Sequence, residues 1–156
     1  MTLIDYFQLP TVSIQPQHLF YLGIRSFEPE EKALVESLGC HVFTMNDIHQ
    51  LGMKKVIEII KQRIEASAVD CIGMTIDLDA LDPSEASAVT VPEDDGLLLS
   101  QVLELIQSLS SMDWVGAEFV EYCPDRDNDA RQSLHCIQAM FDAVLQPLLK
   151  QRDVHA

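Results

Sequence analysis

Leu19 to Ile24, LFYLGI, is a near-continuous apolar run of strand length, the pattern of a strand covered on both faces. Glu28-Pro29-Glu30-Glu31 follows, placing proline and acids where a first helical turn tolerates a missing N–H and favours negative charge, and Gly39 supplies the stop. His41 to Met45 predicts a short second strand. Met53, Val56, Ile57, Ile60 and Ile64 then form one stripe of an amphipathic helix. The plan repeats with a strand at Cys71–Ile76, an aspartate-rich loop, and a helix from about Leu98 that turns Val102, Leu105, Ile106 and Leu109 inward. Trp114 to Tyr122 reads as a last strand. From Asp129 as N-cap, Leu134, Ile137, Phe141, Val144, Leu145 and Leu148 recur with helical period and predict a long closing helix. Strand–helix alternation of this kind predicts an α/β fold: a three-layer, doubly wound, mainly parallel sheet with right-handed crossovers.

The first 17 residues contain Pro10 and Pro16 and lack periodicity, so residues 1–17 read as a lead-in and 18–150 as one domain. A chain of 156 residues buries a core without staples. Cys40, Cys71, Cys123 and Cys136 are dispersed, with no zinc-type spacing, and read as reduced, mostly buried thiols. No basic segment leads into an apolar stretch and no run is long enough to span a bilayer, so the expected setting is cytoplasmic, with no membrane partner. Ten basic against 25 acidic side chains leave a net charge of −15, which repels nucleic-acid phosphates and suits a cationic or neutral partner. That charge steers a guanidinium or amine, or simply keeps an acidic surface solvated.

In open parallel sheets ligands bind beyond the carboxyl ends of the strands, where Asp77 and Asp79 stand. Residues two apart on a strand face the same way, so both carboxylates can converge on one point. Hard oxygen donors suit Mn²⁺ or Mg²⁺; the same residues also serve as helix caps and turn formers.

The string Thr75-Ile76-Asp77-Leu78-Asp79-Ala80-Leu81-Asp82-Pro83 resembles the S-x-D-x-D-x-x-D-P motif of ureohydrolases, the arginase, agmatinase and formimidoylglutamase family of binuclear manganese enzymes. The resemblance implies that Asp77 and Asp79 are metal ligands and that Asp82 and Pro83 shape the loop. Glu121-Tyr122-Cys123-Pro124 is similar to the family's E-V-N-P, which makes Glu121 the counterpart of the substrate anchor; its alternative is an exposed strand end. Tyr21-Leu22-Gly23-Ile24-Arg25-Ser26, with Glu28, Glu30 and Glu31, is similar to the G-[LI]-R-x-x-x-x-x-E turn of arginases and agmatinases. Glu28 sits nearest the acid that reads the substrate's amino end, or is a plain helix start. These matches run in order from about His18 to Leu145 and resemble the C-terminal half of the family fold.

The family's G-G-D-H and D-A-H-x-D strings, which supply the histidines and remaining aspartates of the metal pair, have no counterpart in the sequence. His18, His41, His49, His135 and His155 all read as surface or packing residues. Ala86-Ser87-Ala88-Val89-Thr90-Val91-Pro92 is closer to the A-P-G-V-S-A-P of formimidoylglutamases than to the arginase loop, and Asp127, Asp129 and Arg131 agree with that subfamily. Serine and alanine in place of proline and glycine raise the question of a changed loop backbone. The resemblance implies hydrolysis of a guanidino or formimidoyl C–N bond, releasing urea or formamide, with no activity expected of the chain alone; the expected partner is a complementary N-terminal half, which completes the Mn²⁺ pair, or a homo-oligomer. The alternative is a non-catalytic regulatory or scaffolding subunit derived from the family. A receiver-like Mg²⁺ module fits the aspartate spacing less well.

Overall fold

The computed structural model describes residues 14–154, apart from the side chains of residues 147, 148 and 150–154, so the lead-in lies largely outside the described residues. A 3₁₀ turn at Pro16–His18 enters β1, Phe20–Ile24. Helix α1, Pro29–Leu38, starts with proline in its first turn, Glu31 accepts the Glu28 backbone N–H at 3.0 Å, and Gly39 closes it at φ 74°. Strand β2, His41–Thr44, runs straight into α2, Met45–Leu51, and then α3, Met53–Ser67. Sequence periodicity did not separate α2. Its signal is a capping pair: Asp47 accepts from the Thr44 backbone N–H while the Thr44 hydroxyl accepts from the Asp47 N–H.

Strand β3, Ile72–Asp77, is followed by a 3₁₀ turn, Leu78–Ala80, and a loop reaching α4, Leu99–Ser108. Strand β4, Trp114–Val120, and a 3₁₀ turn at Pro124–Arg126 precede α5, Gln132–Val154. All five residues of the expected α3 stripe are buried, as are Val102, Leu105, Ile106 and Leu109. These α/β elements form two parallel ladders, β1–β2 and β3–β4. Phe43 and Ile76, one from each ladder, belong to the same buried cluster, which also holds Val56, Ile106 and Met140.

Three sequence expectations change. The face of α5 on the core is Ser133, Cys136, Met140 and Val144, while Phe141 is 51% exposed. Of the expected stripe Val144 is buried and Ile137 packs against the core, the Leu148 side chain lies outside the described residues, and Ser133, polar but wholly buried, accepts the Ala88 N–H and ties the helix to the loop. Asp129 does not cap α5: Asp127 accepts the N–H groups of Ser133 and Leu134 at 3.1 Å, and Asn128 accepts that of Gln132. Arg131 at φ 54° turns the chain so that Asp127, well before the helix start at Gln132, reaches those donors. The cysteines are free, but only Cys136 is buried and Cys71 is exposed.

The covering of the strands is one-sided in part. Tyr21 in β1 is 40% exposed, and in β3 Ile72, Met74 and Ile76 turn inward while Gly73 and Thr75 are exposed. On β4, Val115 is 72% exposed. Helix α5 packs on β4, and α4 packs on α5. Helix α1 has no buried residue, leaving Leu34 and Leu38 open. No helix among the described residues is long and apolar enough to cross a membrane.

Candidate metal and substrate site

Parallel pairing sets the site. Asp77 lies opposite Val120 in the β3–β4 register, so the last residue of β3 and Glu121, the first after β4, come to the same edge. Asp77 accepts the Asp79 backbone N–H at 3.2 Å and thereby starts the 3₁₀ turn that carries Asp79. The turn-forming role open to Asp77 from sequence is thus realised, and it fixes where Asp79 stands.

Burial, the neighbouring Asp77 charge and a hydrogen bond with Asp77 hold the Asp79 carboxyl above the usual carboxylate range; Arg25 opposes the shift and Glu121 adds to it. Three acids therefore feel one another. Like charges drawn together with incomplete solvation are the electrostatic condition that a bound cation relieves. Glu121 sits at φ 64°, a left-handed conformation that costs a non-glycine residue roughly 1–2 kcal/mol. Glu118, within β4, accepts the Thr75 hydroxyl at 2.9 Å.

Arg25 organises the floor of the site. Its guanidinium donates to the carbonyls of Asp79 at 2.6 Å and Ala80 at 3.1 Å, to Gly23 at 3.3 Å, and to Glu93 at 3.2 Å. The end of β1, the Asp79 turn and the Glu93 loop are thereby held by one side chain. Its role was hidden in the sequence, because a carbonyl clamp spanning 54 residues has no local pattern.

Asp82 shapes the loop, as expected. One carboxylate oxygen accepts from the Ser84 N–H at 2.9 Å and from the Ser84 hydroxyl, the other from the N–H groups of Asp95 at 3.1 Å and Gly96 at 3.3 Å. Those bonds hold its carboxyl low, the Ser84 hydroxyl contributing most. Leu81 and Leu97 form a parallel bridge beside it. Gly96 is required there: a Cβ would lie 2.4 Å from the Asp82 nitrogen and the Leu81 carbonyl carbon. The loop at residues 86–91 needs no glycine conformation, for neither Ser87 nor Ala88 has positive φ. Ala86, Ala88 and Val89 are buried, Arg126 bonds the carbonyls of Val89 and Thr90, and the Cys123 N–H bonds that of Ala88.

Glu28 stands apart, exposed at the start of α1, with its own N–H on Glu31. His49 pairs with Asp95 at 3.2 Å on the surface, and His41 stacks near Phe20 with ring centroids 4.6 Å apart. Among the described residues no three histidine, cysteine, aspartate or glutamate side chains are grouped to hold an ion. Asp77 and Asp79 suit a hard divalent cation in donor type and charge but supply only part of the roughly six ligands such an ion takes.

The Arginase family model matches residues 7–145. The arginase of Bacillus caldovelox is 33% identical over 136 residues, covering 82% of this chain and 44% of that protein. The formimidoylglutamase of Bacillus subtilis superposes with a TM-score of 0.79 at 25% identity over 86% of this chain and 42% of that one. The arginase of Entamoeba histolytica, solved with L-ornithine, gives 0.73 at 26% identity over 88% and 47%. The chain thus spans less than half the length of these relatives. With a family model covering nearly its whole length and parallel strands that superpose on solved ureohydrolases, the chain belongs to the arginase family.

Proposed function

We propose that residues 18–150 supply the Asp77 and Asp79 metal ligands and the Glu121 substrate anchor of a manganese-dependent ureohydrolase site, completed by the rest of the arginase fold. The observation that carries this reading is the β3–β4 register, which brings Asp77 at the end of β3 and Glu121 just after β4 to one edge, beside an Asp79 carboxyl raised by burial and by Asp77. Bound ions would lend Lewis acidity to water attacking a trigonal carbon. This chain's part is to hold two carboxylates on the ions and to set Glu121 against the cationic guanidino or formimidoyl group, whose amine departs with a proton while urea or formamide is released. Glu28 is proposed to face the substrate's far end. The ornithine complex of the Entamoeba relative supports an amino-acid-derived substrate.

A chimera tests this. Residues 18–150 replace the matched part of the Bacillus caldovelox arginase, and manganese content and product release from arginine, agmatine and formimidoylglutamate are measured. A pair of Mn²⁺ ions and turnover of one substrate are expected, with Asp77→Asn lowering the metal content. Unchanged manganese in that variant would sink the assignment.

The second reading, a non-catalytic regulatory or scaffolding subunit, is favoured by the missing third ligand among the described residues and by the bare Leu34 and Leu38 on α1. It predicts a chimera that folds and binds other family subunits but takes up no manganese.

A further inference from the structure

Glu121 keeps a left-handed conformation although its side chain is exposed and its carboxylate accepts no hydrogen bond from the described residues. Backbone strain of that kind persists only where the surrounding structure over-determines it. We propose that Tyr122 is a positioning residue for Glu121: its hydroxyl, bonded to the acid that caps α5, fixes the chain just beyond β4 and so holds Glu121 in this conformation. The proposal rests on the reading of Glu121 as the substrate anchor and adds the group that keeps the anchor in place.

The chain is pinned on both sides of Glu121. Before it, Val120 ends β4 and is paired with Asp77. After it, the Tyr122 hydroxyl donates to Asp127 at 3.0 Å while the Tyr122 side chain packs against the core. Asp127 is held in turn by the N–H groups of Ser133 and Leu134, each at 3.1 Å. The next residue extends the hold: the Cys123 N–H donates to the Ala88 carbonyl at 2.8 Å, and the Cys123 carbonyl accepts the Arg126 N–H at 2.9 Å. Glu121 alone is left to absorb the change of direction between strand and anchored turn, which accounts for its φ of 64°. A hydrogen bond to a carboxylate is comparable in strength to the cost of a left-handed residue, so loss of the hydroxyl is enough to let Glu121 relax. The string E-V-N-P, which Glu121-Tyr122-Cys123-Pro124 resembles, has valine at the place of Tyr122 and so offers no such hydroxyl. An anchor held in one conformation meets a cationic group without first being ordered; an anchor free to relax is competent for only part of the time, and apparent affinity falls by that fraction.

Tyr122→Phe keeps the ring and removes the hydroxyl. In the 156-residue chain, the nuclear Overhauser effect between a residue's own amide and α protons is strongest at positive φ. It should be strong at Glu121 and should weaken several-fold in the variant. Ala68 and Asp95, left-handed residues outside this turn, serve as internal references and should keep their signals. In the chimera described above, the same substitution should raise KM about tenfold and leave kcat little changed. A Glu121 signal that persists in the variant, or one that is already weak in the unaltered chain, would overturn the proposal. So would a loss shared by Ala68 and Asp95, which marks a general loosening of the fold. Loss at Glu121 with KM unchanged would keep Tyr122 as the holder of Glu121 and sink Glu121 as the substrate anchor. A chimera without turnover would sink the functional reading, and the proton signals would still decide the hold of Tyr122.

Discussion

At the scale of single residues, Asp79 is where electrostatics and chemistry meet. Its carboxyl is raised first by burial and then by Asp77, so the folded chain binds that proton more tightly than the unfolded chain does. The associated stability is present below the ordinary carboxylate range and is lost as pH rises through the raised value. With chelator present, Asp79→Asn should therefore raise the melting temperature at pH 7, and the gain should vanish near pH 3, where both side chains are neutral. A gain independent of pH, followed by thermal scans, would show that Asp79 carries no such strain. Metal affinity runs the opposite way, strengthening as pH rises and the proton leaves. Arg25 moderates this repulsion while spending its donors on carbonyls rather than on the carboxylates, which leaves both acids available to a cation.

At the scale of elements, loops and caps decide more than helices do. Gly96→Ala drives a methyl into the Leu81–Asp82 backbone, and should cost about 2–3 kcal/mol in urea denaturation and disturb the turn that aims Asp79. Asp127→Ala removes the acceptor for two N–H groups of α5 and for the Tyr122 hydroxyl at 3.0 Å, and should cost about 1–2 kcal/mol in the same measurement. The Asp127 carboxyl, pushed up by burial but brought net low by those helix N–H groups, loses this stabilising role as pH falls through its depressed value. Asp129→Ala should leave stability within about 0.5 kcal/mol, which separates the two candidate caps. Helices α3 and α4 were legible because five and four apolar residues repeat with one period. The cap of α5 was not, because Arg131 in a left-handed conformation breaks the link between sequence offset and distance.

For the molecule as a whole, a net charge of −15 in a compact chain opposes its own folding. Its melting temperature should rise between about 20 mM and 500 mM NaCl as the Debye length shrinks; a flat response would mean that the acids are already locally compensated. Among the described residues the surface pairs are Lys32–Glu36 at 4.0 Å, His49–Asp95 and Lys55–Glu58 at 2.9 Å, all well exposed. The open face of β3–β4 and the bare side of α1 lie on a chain that matches under half of each relative described above.

The alternation of strands and helices, the stripes of α3 and α4, and the motif that places Asp77 and Asp79 at a strand end are legible along the chain, because each is written in spacings of a few residues. The pairing of β1 with β2 and of β3 with β4, the shared edge of Asp77 and Glu121 from which Glu28 stands apart, and the hold of Arg25 and Gly96 on the loop emerge only on folding. Those facts depend on contacts between residues tens of positions apart, which strand pairing and packing bring together and no local pattern encodes.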